Sequence, residues 1–289
     1  MNQKKCIVIS GPTASGKTAY AISLALKYNT AIISADSRQC FRELNIGVAK
    51  PSLVELQEVK HYFINSLSIN EEVNASVFEK YALQSIHEIF KENNTAVMAG
   101  GTGLYIKAFC EGLDDIPGIS PEIQNEIREN YKIHGILWLE DQLKNLDPHF
   151  AEKGEMQNPQ RMLRALEVVT STGQSILDFH SKIKTERPFL IEHHYIDVPR
   201  NILYENINMR TDKMIEAGLV EEARNLYPYR DLNALQTVGY KELFEYFDKK
   251  IPLEKAVDEI KKNTRHFAKR QITWFRKFLE NYNYRAIKI

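Results

Sequence analysis

Cysteine is scarce in this chain of 289 residues. Cys6, Cys40 and Cys110 are odd in number and far apart, with no C-x-x-C pair, which speaks against both a disulfide framework and a zinc site. Reduced, structural thiols are expected. Long apolar runs are missing too: no stretch reaches the roughly 18 residues that a membrane span needs. Residues 1–5 lead into the first apolar run without a signal-peptide pattern. These absences point to a cytoplasmic protein with no membrane partner. Net charge is the third absence, since 38 basic residues balance 38 acidic ones. The overall balance therefore gives no reason to expect nonspecific attraction to a polyanion. Repeats and low-complexity tracts are also lacking.

What is present is patterned. With 43% hydrophobic residues the chain can bury a full core, as one large domain or as a core carrying an insertion. Its charges are unevenly spread. From Glu111 to Glu155 there are 11 acidic residues against 4 basic ones, whereas Lys261 to Lys277 holds seven Lys or Arg and no acid. A polyanion would favour the second stretch.

Apolar strand patterns at residues 6–10, 31–34, 95–99 and 193–198 alternate with helical patterns at 19–27 and 76–90, which predicts a parallel sheet covered by helices. Between residues 117 and 182 strand signals vanish and Pro-Gly, Asp-Pro and Asn-Pro punctuate short helices. The expected organisation is an α/β core at 1–117 and 183–289 with a helical insertion at 118–182. Helix is expected from Ile202 through Leu226, and one long helix over 253–282 at the end. Its apolar stripe takes in Ala256, Val257, Ile260, Thr264, Phe267, Ala268, Phe275 and Leu279. Lys255, Lys262, Lys269 and Arg276 recur every seven residues and nearly stack in one row.

The strongest chemical signal follows the first strand. Gly11-Pro12-Thr13-Ala14-Ser15-Gly16-Lys17-Thr18 fits the phosphate-loop pattern G-x-x-x-x-G-K-[ST]. Glycines let backbone N–H groups converge on phosphate oxygens, a helix start adds its positive end, Lys17 supplies a charge, and the Thr18 hydroxyl suits Mg²⁺. The second strand ends at Asp36, at the sheet edge where open parallel sheets bind ligands. A carboxylate there suits metal-bound water, base catalysis or a plain capping role. Ala99-Gly100-Gly101-Thr102-Gly103 forms another glycine-rich turn at that edge, with Thr102 offering a hydroxyl. Arg161 and Arg164 share a helix face, and residues 269–276 mix cations with aromatics, as nucleic-acid contacts do. Periodicity puts Trp274 in the core. Arg210 lies on a helix that sequence alone does not bring to the site. His61, His193 and His194 have no metal-ligand arrangement and suit structural roles.

Taken together, GPTASGKT at 11–18, ISADSRQ at 33–39, GVAKP at 47–51, AGGTGLYIKA at 99–108, NPQRMLRALEV at 158–168, VGYKE at 238–242 and KRQITWFRK at 269–277 resemble, in order, the tRNA dimethylallyltransferases. The resemblance covers nearly the whole chain. It implies a P-loop NTPase-like sheet with a helical insertion that grips the anticodon stem-loop of tRNA. It further implies transfer of the dimethylallyl group of dimethylallyl diphosphate to the exocyclic amine of the adenosine 3′ of the anticodon, in tRNAs reading codons that start with U. Diphosphate is then a leaving group held by residues 11–18, with Mg²⁺ at Thr18. Family correspondence makes Asp36, Thr102 and Arg210 catalytic, and sets Asp36, Ser37, Arg38, Gln39, Gln160, Arg161, Arg164, Lys241, Lys269, Arg270 and Arg276 along the RNA. A monomer is expected. Val48, Cys40-Phe41, Glu43 and Asn158 depart from the family pattern without removing a catalytic group. Three alternatives stand beside this reading: an adenylate isopentenyltransferase, a P-loop small-metabolite kinase, and an RNA-binding protein with a nucleotide switch.

Overall fold

The computed structural model describes residues 3–180 and 184–288. The expected end of the insertion at Lys182 and restart of the core at Ile183 lie outside these residues, as do Met1, Asn2 and Ile289. The chain divides into two compact units, Met1–Glu111 with Glu186–Ile289, and Gly112–Thr185.

In the first unit the chain runs β1 (Lys5–Ser10), α1 (Lys17–Lys27), β2 (Ile32–Ser34), α2 (Leu53–Glu58), β3 (His61–Tyr62), α3 (Ala75–Glu92), β4 (Thr95–Gly100) and α4 (Gly103–Glu111). The second unit holds α5 (Pro121–Leu146), α6 (Pro148–Lys153) and α7 (Pro159–Thr172). The chain returns as β5 (Leu190–Asp197), α8 (Arg200–Glu216), α9 (Leu219–Leu226), α10 (Tyr240–Phe247), α11 (Leu253–Leu279) and β6 (Tyr284–Lys288).

All pairings in the six-stranded sheet are parallel, in the order β3-β2-β4-β1-β5-β6. The central strands are apolar throughout because both faces are covered. Alternate residues serve opposite sides: Ile7, Ile9 and Val97 pack with α1, while Cys6, Val8, Ala96 and Met98 join the larger core with α3, α4 and α11. The chain leaves β1 for β2 and comes back with β4 between them, so the carboxyl ends of β1 and β4, Ser10 beside Gly100, form the crevice where such sheets bind ligands.

Several expectations need correction. The last helix stops at Leu279 rather than 282, and a strand follows it. That strand is an exposed edge carrying Arg285 and Lys288, so no apolar pattern announces it. β3 has two residues, too few to show a period. The helix expected over 202–226 breaks at Gly218, whose left-handed φ of 99° starts α9. Phe267 is 41% exposed, off the core stripe on which it was expected. Gln271 is buried there instead.

The second unit has its own core of Ile127, Leu139, Leu143, Phe150, Met162 and Leu166, among others. α5 is interrupted at Gly135, where φ is 73°. Asn158 accepts the Arg161 N–H and caps α7, a role that an Asp would fill equally well. No helix among the described residues is long and apolar enough to cross a membrane.

Candidate active site

The phosphate loop runs from the end of β1 to the start of α1 and needs unusual backbone. Gly16 sits at φ 84°, and Ala14 adopts φ 61° despite its side chain. Residues 13–18, Asp36, Lys50 and Arg210 line a cavity of about 300 Å³ over this loop. The Ser15 hydroxyl is buried and has no hydrogen-bond partner among the described residues. In the middle of a cradle of N–H groups, such a hydroxyl suits a phosphate oxygen.

Of the three cations lining this cavity, Lys50 donates to the Phe41 carbonyl and Asn65 Oδ1, which leaves Lys17 and Arg210 over the loop. Lys17 Nζ donates to the Pro12 carbonyl at 2.5 Å. Burial and then the charge of Arg210 push its ammonium down to about 7, against the opposing pull of Asp36. The structure brings Arg210 into the site from α8: its Nη2 donates to Thr13 Oγ1 at 2.7 Å. Burial lowers its pKa, and Asp36 partly offsets this. Neither cation has a carboxylate bonded to it among the described residues, so both charges remain for an anion.

Asp36 lies just beyond β2. Its Oδ1 accepts the N–H groups of Arg38 at 2.9 Å and Gln39 at 3.3 Å, which caps the turn and fixes the carboxylate. The capping role leaves room for a chemical one, because Oδ2 accepts no hydrogen bond among the described residues. Thr102 braces the same turn. Its N–H donates to the Ala35 carbonyl at 3.1 Å and its Oγ1 accepts the Ser37 N–H at 3.0 Å.

A second cavity, of about 400 Å³, adjoins the first. Thr13, Asp36, Val48, Ala49 and Arg210 line both. The second cavity adds Ser37, Arg38, Thr102, Lys241 and Arg270. The acid and the cation thus stand at the junction of the chamber over the loop and a chamber rimmed by Arg38, Lys241 and Arg270. Gln39 faces the first chamber only; its carboxamide accepts the Ser34 hydroxyl and donates to the Val48 and Ala49 carbonyls. Lys269 and Arg276 line a third cavity, beside Arg200. In the second unit Gln160 is exposed, Arg161 pairs with Glu155, and Arg164 pairs with the buried Glu167 at 3.4 Å.

Sequence reasoning missed two supports. Glu222 accepts the Ile46 and Gly47 N–H groups at 2.8 and 2.9 Å and the Tyr240 hydroxyl at 2.6 Å, pinning the 46–49 loop that walls both cavities. Gly47 has to be glycine because a Cβ would stand 2.6 Å from the Tyr240 ring. Gln271 is the other, and its signal was readable: a polar residue at a buried position of an apolar stripe. Glu43, where the family pattern has glycine, accepts from the Ser68 hydroxyl and the Ile69 N–H. Among the described residues no group of three or more His, Cys, Asp or Glu could hold a metal ion. Oxygen groups lining the first cavity include the Thr13, Ser15 and Thr18 hydroxyls and the Asp36 carboxylate.

Residues 39–278 match the model of a family described as IPP transferase. A tRNA dimethylallyltransferase of Christiangramia forsetii is 49% identical over 271 residues, covering 94% of this chain and 90% of the relative. The solved tRNA isopentenylpyrophosphate transferase of Bacillus halodurans superposes with a TM-score of 0.70 at 34% identity, covering 99% of this chain and 90% of that one. A eukaryotic dimethylallyltransferase crystallised acting on tRNA gives a TM-score of 0.82 at 26% identity, over 99% of this chain and 74% of its own.

Proposed function

The chain belongs to the IPP transferase family, and from that premise we propose a division of labour in which one chamber holds the leaving group and the other admits the base. The protein transfers a dimethylallyl group to the exocyclic amine of the adenosine 3′ of the anticodon in tRNAs reading codons that start with U, and releases diphosphate. Dimethylallyl diphosphate is the donor. The observation that carries this assignment is the shared lining of the two cavities by Thr13, Asp36 and Arg210.

In the reaction the amine nitrogen bonds to the allylic carbon, the carbon–oxygen bond to diphosphate breaks, and the amine gives up a proton. An adenine amine is a poor nucleophile, so most of the barrier falls to stabilising the departing diphosphate. Loop N–H groups, the Ser15 hydroxyl, Lys17 and Arg210 supply that stabilisation. Asp36 orients the amine and takes its proton, with its carboxylate held still by the turn. Thr102 keeps that turn in place. The Thr18 hydroxyl would hold a Mg²⁺ ion that arrives with the diphosphate, the remaining ligands being phosphate oxygens and water. When bound, the ion neutralises charge on the leaving group.

An adenosine stacked in a loop must swing out to reach Asp36. Ser37, Arg38, Gln39, Lys241, Lys269, Arg270 and Arg276 on the first unit, with Gln160, Arg161 and Arg164 on the second, are the proposed tRNA contacts. The second unit grips the anticodon stem-loop. The protein works as a cytoplasmic monomer. A double-label assay tests the function: dimethylallyl label should pass to tRNA, and the terminal phosphate of ATP should pass to nothing. Phosphate transfer without prenylation would favour a kinase. Label passing to free AMP but not to tRNA would favour an adenylate isopentenyltransferase.

A further inference from the structure

α11 packs on the core through Ala256, Ile260, Thr264, Ala268, Gln271 and Phe275, and Gln271 is the one amide in that series. Its side chain is 7% exposed. Oε1 accepts the Thr13 N–H at 2.8 Å, and Nε2 donates to the Gly101 carbonyl at 2.9 Å. One partner is a donor and the other an acceptor, so a single orientation of the carboxamide satisfies both. A lone side chain thereby ties the phosphate loop to the glycine-rich turn after β4.

The glycines of that turn are explained by the same helix. A Cβ on Gly101 would stand 2.3 Å from Gln271 Nε2, and one on Gly103 would stand 2.4 Å from the Trp274 ring, three residues further along α11. The turn is a seat for two α11 side chains, which is why it lacks side chains of its own at those points.

From the two ends of Gln271 the connection continues into the reacting groups. On one side Thr13 holds Arg210 through its hydroxyl. On the other, Gly101 precedes Thr102, whose two hydrogen bonds brace the residues on either side of Asp36. We propose that Gln271 is a positioning residue for prenyl transfer: it sets the spacing between the leaving-group side, Thr13 and Arg210, and the acceptor side, Thr102 and Asp36. This rests on the function proposed above. Misplacement of reacting groups by about 1 Å costs about 100-fold in rate, and that is the scale of loss expected when the tie is cut.

Three variants test the role. Gln271→Met keeps the length of the side chain and loses both hydrogen bonds. It should lower kcat about 100-fold and weaken inorganic pyrophosphate, while tRNA affinity stays within about threefold of the parent. Gln271→Glu retains the acceptor for Thr13, loses the donor to Gly101 and adds a negative charge beside the loop, so it should lower both kcat and pyrophosphate affinity. Gly101→Ala, with φ outside the left-handed region, should displace the carboxamide from the other side and reproduce the kcat loss. Parent-like kcat in either a folded Gln271→Met or a folded Gly101→Ala protein overturns the proposal. So does a loss in either that disappears well below that variant's Tm, because a purely structural role predicts such recovery. Failure of the parent to prenylate tRNA would instead strike the functional reading, whereas the change in pyrophosphate affinity between the parent and Gln271→Met bears on Gln271 alone.

Discussion

At the scale of single residues, Asp36 shows how a carboxylate is held rigid by one oxygen while the other stays open to the cavity. The turn that it caps would hold as well with an amide in its place, since the capping bonds are accepted by one oxygen. Asp36→Asn should therefore fold normally and bind tRNA like the parent, but lose about 10²–10⁴-fold in kcat as the proton acceptor disappears. Single-turnover kinetics with equilibrium tRNA binding check this, and equal kcat in variant and parent would refute the role. Lys17 supplies a pH signature. In the folded protein its pKa is pushed down to about 7 from an ordinary 10.5, so between those values the unfolded chain binds more protons and the free protein gains stability as pH rises. A bound diphosphate favours the charged ammonium, and binding above pH 7 takes up a proton. Pyrophosphate affinity should then fall as pH rises above 7, by up to about tenfold per unit, more steeply in the parent than in Lys17→Met. Calorimetry at several pH values measures the difference, and identical slopes would contradict it.

Among the elements, α11 does the most varied work: one side closes the core, Gln271 and Trp274 press on the glycine turn, and its cations face outward. The row of cations spaced seven apart is not uniform. Lys255 and Lys262 both pair with Glu259, at 3.1 and 3.0 Å, whereas Lys269 and Arg276 line a cavity. If Lys269 meets a tRNA phosphate, Lys269→Ala should reduce the salt slope of tRNA affinity by about 0.7–0.9, with the gap from the parent widest at low salt. Lys255→Ala should leave the slope alone. Filter binding across a salt series distinguishes them, and an unchanged slope for Lys269→Ala would point away from a phosphate contact. The same helix shows what its sequence concealed. Periodicity marks Ala256, Ile260, Thr264, Ala268 and Phe275 as buried, yet it also nominates Phe267, which is exposed with Arg270 lying 5.9 Å from its ring centre. A hydrophobicity pattern takes no account of a cavity on that side.

For the molecule as a whole, legibility followed the density of local signals. β1, the phosphate loop and α1 were readable because strand, glycines and helix start all agree over 23 residues, 5–27. β3 and β6 were not, since one is too short and the other too polar to carry a period. The site divides in the same way. Residues 11–18 announce themselves through backbone chemistry, whereas Arg210 reaches Thr13 across 197 positions of sequence and no local pattern records that contact. Family resemblance supplied Arg210, and the fold explains it: α8 follows β5, the neighbour of β1, and so passes beside the loop. The segment Gly112–Thr185 has a core of its own, separate from the clusters on the two faces of the sheet, so it can be inserted between α4 and β5 without interrupting the packing of either face.

In the proposed reaction the Lys17 cradle receives diphosphate as it leaves an allylic carbon. The most direct test is a quenched single-turnover reaction of the protein with dimethylallyl diphosphate and an unmodified tRNA transcript, in which pyrophosphate and prenylated adenosine are counted together. One pyrophosphate should appear for each prenylated adenosine. A transcript recovered without prenyl groups, or pyrophosphate released without a prenylated base, would contradict the account.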